Sequence, residues 1–277
     1  MTNVKRIAGR ISAYGFSLIA VILALFPFLW MILSSFKDRR EIYAIPLKFF
    51  PSSFNPANYQ NVIGNKAYPL LNAMMTTFIV AAAAVVLSLI LNMMAAYAFA
   101  RLEFRLKKIF WVICISTMFV PGIAILITSF LVVNQLKMLD TIWVLILPGL
   151  ASGYSIFFFR QFFLNMPGSF EEAALIDGCT RFRIFWYIFV PMSIAPMVVM
   201  GAGTFTGYWN SFIWPSMTVS SPRLMQVMQV VRSYSSFYSS NYGSVLAAGC
   251  VIVLPPIVLF FIFQKRIVAG VVLSGLK

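Results

Sequence analysis

Between two long apolar runs the chain places a carboxylate, two small residues and a glycine in fixed order. Glu172-Ala173-Ala174 is followed by Gly178, and after nine more residues by Ile188-Phe189-Val190-Pro191. These residue types make a docking element rather than a catalytic one. Ser169 stands three positions before Glu172, the spacing of a capping box, and this predicts a short helix from about Phe170 to Ile176. Gly178 is placed to end that helix in a left-handed conformation. Ala173 and Ala174 keep its profile low, so a partner surface can approach the backbone closely. Beyond it, Arg181 and Arg183 face an aqueous interface, and Pro191 and Pro196 are expected to bend the helix that follows. The plainer reading makes Glu172 a capping residue on a surface turn.

The elements that position this loop are membrane spans. Of 277 residues, 61% are hydrophobic and 10% charged, against about 25% charged in soluble domains. Charge-free runs cover 11–36, 67–100, 109–136, 141–159, 184–222 and 233–264. Each holds one helix of the roughly 20 residues that cross a bilayer. The spans are placed at about 12–36, 70–100, 109–134, 141–163, 185–210 and 243–264, with a polar loop at 164–183 and an irregular segment after 210. The N-terminal run is too long for a signal peptide and lacks its cleavage site, so it reads as the first span. The whole chain is one all-α membrane domain. Pro121, Pro148, Pro255 and Pro256 predict kinks, and the proline-containing segment 37–66 reads as extended.

Lys and Arg set the orientation. With both termini in the cytoplasm, thirteen fall inside and eight outside, the expected bias. The loop 101–108 carries it most clearly, whereas Lys37, Arg39 and Arg40 run against it. Trp111, Trp143 and Trp186 each follow a charged residue by three positions at the start of a span. Trp30, Trp209 and Trp214 fall near outer ends, consistent with indole at the headgroup level.

All seven acidic residues lie outside the charge-free runs, and the chain has no His. That argues against a proton-driven carrier and against a membrane-embedded enzyme. Sodium held by backbone carbonyls stays open. No phosphate-binding loop of the G-x-x-x-x-G-K-[ST] type exists, so energy for pumping must enter through a partner. Cys114, Cys179 and Cys250 match neither a disulfide framework nor a metal site. The net charge of +14 fits cytoplasmic loops and anionic lipid, with no nucleic-acid module.

Neutral polar residues in the spans suit an uncharged, hydroxyl-rich solute, although for any single Ser or Thr the plainer reading, packing helices and hydrogen-bonding its own backbone, is favoured. Asn92, Asn134 and Asn210 are the costliest in lipid and the better candidates for a cavity or subunit contact. Tyr208, Trp209, Phe212 and Trp214 are candidates for an outer vestibule, although an interfacial aromatic belt explains them equally well.

The chain resembles a permease subunit of the carbohydrate-uptake, maltose-type branch of ATP-binding-cassette importers. Besides the 172–191 pattern, the resemblance rests on Ser35-Phe36-Lys37, Asn58-Tyr59, Ala95-Ala96-Tyr97-Ala98-Phe99-Ala100-Arg101, Leu147-Pro148 and Arg160-Gln161-Phe162-Phe163. It continues through Met166-Pro167, Trp209-Asn210, Trp214-Pro215 and Ser274-Gly275-Leu276-Lys277. Cys179 and Val190 depart mildly, where Ala and Leu are usual. The resemblance implies the type I importer fold and a bacterial or archaeal plasma membrane. It implies a second homologous permease, two ATPase subunits and an external solute-binding protein as partners, with ATP and magnesium held by the ATPases and no cofactor in this chain. It assigns Glu172 and Asp177 to ATPase contact, and Ala173, Ala174 and Gly178 to the fit. An oligosaccharide is the implied solute, glycerol phosphate the alternative within the family, and an ion-coupled secondary transporter the alternative outside it.

Overall fold

The computed structural model describes residues 2–235 and 242–275, whose regular structure is helical throughout. In chain order the helices are α1 (Thr2–Ser35), α2 (Arg39–Ile42), α3 (Ala57–Ile63), α4 (Leu70–Arg101), α5 (Lys107–Ser116) and α6 (Leu126–Gln135). They continue with α7 (Ile142–Ile146), α8 (Gly153–Leu164), α9 (Ser169–Ile176), α10 (Arg181–Ile184) and α11 (Val190–Met192). The last are α12 (Ile194–Trp209), α13 (Ile213–Thr218), α14 (Val227–Tyr234), α15 (Tyr242–Ile252) and α16 (Leu254–Gly275). The part of the outer segment at 236–240, together with Leu276 and Lys277 of the tail, lies outside the described residues.

Three helical stretches are long and apolar enough to cross a bilayer: Ser12–Ser35, Leu70–Arg101 and Tyr242–Ile267. Three bent pairs reach the same length and apolarity together, Lys107–Phe119 with Gly122–Gln135, Ile142–Gly149 with Gly153–Leu164, and Arg181–Met192 with Ile194–Trp209. Counted as one span each, they bring the number to six.

Proline makes the bends. Val120, forced toward extended backbone by Pro121, sits at φ −88° and ψ 115°. The two halves of that pair meet at 99°, with 3₁₀ turns on both sides. Pro148 lies in a 3₁₀ turn at Leu147–Gly149, and the chain restarts with Ser152 Oγ accepting from the Ser155 amide at 3.3 Å, a bend of 48°. In the third pair a π turn over Phe185–Phe189 precedes Pro191, and the axis turns by 79°. Pro191 and Pro196 lack the N–H groups that would carry the ladder through.

The chain forms two compact units. In the first, residues 1–71 and 230–254, α15 packs on α1 and α3. Asn58 Nδ2 closes the end of α1 by donating to Ser35 O at 2.9 Å and Lys37 O at 3.0 Å. Gly243 lets α15 approach this amide, since a Cβ there would lie 2.5 Å from Asn58 Nδ2. The segment 37–66 is less extended than its prolines predict, because it contains α2 and α3. Its Glu41 carboxyl is held below the ordinary range mainly by the Ser52 hydroxyl, which donates to Glu41 Oε1 at 2.7 Å.

The second unit, residues 72–229 and 255–277, has two apolar clusters. One gathers Met93, Ala96, Tyr97, Phe159, Phe163, Phe185 and Phe189, and the other includes Val80, Ala84, Val133, Val144, Leu150 and Val219. The segment after α12, expected to be irregular, contains α13 and part of α14. Trp214 Nε1 pins α13 by donating to Val144 O at 2.8 Å. Asp140 Oδ1 accepts from the Ser220 and Ser221 amides at 3.1 and 2.8 Å and fixes the chain beyond α13.

Gly153 is required where α8 passes α5. A Cβ there would lie 2.6 Å from Thr117 Oγ1 and 2.7 Å from Cys114 O. Gly153→Ala is therefore expected to cost about 1–3 kcal/mol, measured by thermal unfolding in detergent.

Candidate functional site

The 172–191 pattern forms a helix–turn element whose two faces have different surroundings. The predicted short helix is present as α9, with one correction. Ser169 is its first helical residue and Gly168 occupies the cap position with no side-chain cap bond, so the capping box does not form. Gly168 is itself in the right-handed helical region, at φ −65° and ψ −25°, and the helix ladder begins from its carbonyl. The C-terminal end follows the sequence: Gly178 has φ +77°. The Cys179 amide donates to Ala174 O at 2.9 Å and the Gly178 amide to Leu175 O at 3.0 Å, a Schellman closure. Ala174 and Cys179 both pack against the aromatic cluster and complete the apolar contact of that motif.

Outward, α9 exposes Phe170, Glu172, Ala173, Leu175 and Ile176, followed by Asp177 and Gly178, and Ile176 is 87% exposed. Inward it buries Glu171, which sequence reasoning passed over in favour of its neighbour Glu172. Glu171 is 7% exposed and forms ion pairs with Arg181 and Arg101. The signal that distinguishes the two acids is helical phase: Glu171 stands three positions before Ala174, which packs inward. Pro191 is exposed at the start of α11, next to the 79° bend.

The candidate pathway residues do not gather at one place. Asn92 is 1% exposed in α4, where it braces the break before α8. Its Nδ2 donates to Leu150 O at 2.9 Å and its Oδ1 accepts from the Ser152 amide at 2.9 Å. Asn134 is exposed near the end of α6. Trp209 is buried and stacks on Phe205 with ring centroids 5.5 Å apart. Asn210 is exposed as the C-cap of α12, and Phe212 is exposed just before α13. Tyr208 lines a cavity of about 440 Å³ and donates its hydroxyl to Ile146 O at 3.0 Å. Ser88, Ser129, Ser152, Ser155 and Trp214 line the same cavity, and no charged side chain does. The serines on α4, α6 and α8 were not singled out as a set from sequence, because only the bends bring them together.

A bundle of long and broken apolar helices, a solute-sized neutral cavity and an exposed amphipathic helix outside the spans define a membrane permease. Residues 88–272 match the family described as "Binding-protein-dependent transport system inner membrane component", and the chain belongs to that family. Curated relatives extend the likeness over nearly the whole chain. The probable ABC transporter permease protein YurM of Bacillus subtilis is 29% identical over 271 residues, covering 97% of this chain and 89% of that protein. The lactose transport system permease protein LacG of Rhizobium radiobacter is 28% identical, covering 98% and 97%. The sn-glycerol-3-phosphate transport system permease protein UgpE of Yersinia enterocolitica is 29% identical, covering 92% and 93%. A crystal structure of a bacterial ABC transporter for import of the acidic polysaccharide alginate contains a chain of the same fold. The TM-score is 0.82 at 21% identity, over 96% of this chain and 99% of that one.

Gly178 carries the sharpest local prediction. Gly178→Ala is expected to destabilise the Schellman closure by about 1–2 kcal/mol, because a Cβ is unfavourable at positive φ. Gly178→Asn is expected to cost less, since Asn tolerates that region. Hydrogen exchange of the 169–179 amides measures both.

Proposed function

We propose that the chain is the membrane-pathway subunit of an ATP-driven importer of neutral oligosaccharides in a prokaryotic plasma membrane, with both termini cytoplasmic. The observation that carries this reading is the exposed face of α9. A helix outside the spans that exposes Phe170, Leu175 and Ile176 beside Glu172 and Ala173 has no use in an isolated membrane bundle and fits a groove on a cytoplasmic partner. In this reading two ATPase subunits hold ATP and magnesium, a second homologous permease completes the pathway, and an external binding protein delivers the solute.

The mechanism follows from the geometry. Closure of the ATPases pushes α9, and α9 moves as one piece because its C-terminal end is locked at Gly178. Glu172 and Asp177 meet the partner, and Ala173 lets it approach. The bends at 120–121, 150–152 and 192–194 are the points where the spans can re-angle between inward- and outward-open states. A cavity lined by serine hydroxyls, Tyr208, Trp214 and aliphatic side chains suits a neutral sugar ring, with apolar contact from the rings and aliphatics and hydrogen bonds from the serines. The absence of a charged side chain in its wall favours a neutral solute over glycerol phosphate, the solute named for the Yersinia relative.

Glu172→Lys is expected to leave the fold intact and to abolish solute-stimulated ATP hydrolysis in proteoliposomes. Normal stimulation in that variant would remove Glu172 from the interface. Calorimetry on the cognate binding protein should give heat with a neutral oligosaccharide and none with glycerol phosphate. The reverse result would transfer the proposal to the phosphorylated solute.

A further inference from the structure

Two adjacent acids in α9 face opposite ways, and only the exposed one is used by the docking described above. We propose that Glu171 is a positioning residue that clamps α9 to α4 and α8, so that a push on α9 is delivered to those spans. The proposal rests on the importer reading.

Among the described residues Glu171 is the one buried carboxylate. Its Oε1 accepts from Arg181 Nη1 and faces the Tyr97 hydroxyl at 3.5 Å. Its Oε2 lies 3.8 Å from Arg101 Nε, a buried donor with no hydrogen-bond partner of its own. Arg101 in turn donates from Nη2 to Phe163 O and Met166 O, both at 2.6 Å. These carbonyls lie where α8 ends and the chain turns toward α9, and Phe163 O also accepts from the Met166 amide at 3.2 Å. One carboxylate therefore joins α9, the start of α10, the end of α4 and, through Arg101, the end of α8.

The surroundings make this junction stiff. Tyr97 and Arg101 are four residues apart on one face of α4. The Arg101 guanidinium sits 5.3 Å over the Phe189 ring, and Phe189 belongs to one buried cluster with Tyr97, Phe163 and Phe185. On the Arg101 side, where both side chains are largely buried, excluding water strengthens the charge contact and makes losing one partner costly, whereas Arg181 is half-exposed. From Arg101, α4 runs back about 14 Å to Asn92. Asn92 grips the break at Leu150 and Ser152, and Ser152 lines the cavity. A displacement of α9 therefore reaches the cavity wall along a single helix. Glu172 is left to meet the partner, and Glu171 to pass on the motion.

The test uses the complete transporter in liposomes. Glu171→Gln keeps the shape and removes the charge. The ATPases are expected to stay bound and hydrolysis to continue, while ATP consumed per solute imported rises about tenfold, the factor expected from losing one charge-assisted contact. Glu171→Asp should restore part of the coupling. A wild-type ratio in Glu171→Gln would overturn the clamp. A second measurement does not depend on transport: spin labels on Phe104→Cys and Ile176→Cys, with Cys114, Cys179 and Cys250 replaced by alanine, in the full chain in detergent. The distance distribution should be narrow with Glu171 present and broad with Glu171→Gln. Equal widths would overturn the proposal. If the wild-type transporter shows no solute-stimulated hydrolysis, the importer reading falls by itself, and the label widths still judge the clamp.

Discussion

Backbone polar groups released inside an apolar medium must find partners, and the architecture of this chain follows from how it meets that demand. Three of its six apolar stretches are broken by proline or by a π turn. Each break frees carbonyls and amides where water is scarce, and each freed group costs several kcal/mol if left unpaired (on the order of the values measured for hydrocarbon transfer). Side chains from neighbouring elements supply the partners. Asn92 takes both Leu150 O and the Ser152 amide, Tyr208 takes Ile146 O, and Trp214 takes Val144 O. Ser193 Oγ donates to Phe189 O at the third bend. The neutral polar residues of the spans are therefore in large part the means by which broken helices persist.

The same demand shapes the cavity. Once Asn92, Tyr208 and Trp214 are committed to backbone, the groups left to face the open space are serine and threonine hydroxyls, glycine backbone, Gln226, aromatic faces and the aliphatic side chains of Val80, Ile125, Leu126 and Leu145. The wall so formed is mixed apolar and neutral polar and carries no charged side chain. Gly122, Pro148, Gly149 and Ser152, at or beside two of the breaks, line the cavity, so the broken backbone and the cavity wall share residues.

At the other end of α4 the partners are charges. Arg101 closes the carbonyls at the end of α8, and Arg160 Nε donates to Phe99 O at 3.2 Å while its guanidinium lies 4.1 Å over Trp111. An arginine whose fork is spent on carbonyls needs a counter-charge, and Glu171 supplies it. The result divides α9 into an inner face bound to its own chain and an outer, exposed face.

Apolar run lengths, the prolines, the small residues of the loop and the position of Gly178 were legible because each acts locally. A charge-free run is long or short whatever surrounds it, and a glycine after a short helix ends it by its own backbone freedom. The capping box was misread because Gly168 already carries helical backbone and supplies the first carbonyl of the ladder, leaving Ser169 inside the helix. The sequence by itself determined that this is a helical membrane chain with a polar, helix-bearing loop between its fourth and fifth apolar stretches. Only the tertiary structure decided that Glu171 rather than Glu172 turns inward, that Asn92 braces a broken helix, and that serines from separate helices share one cavity. Those outcomes depend on which groups meet across helices dozens of residues apart in the chain, and no local pattern records such meetings.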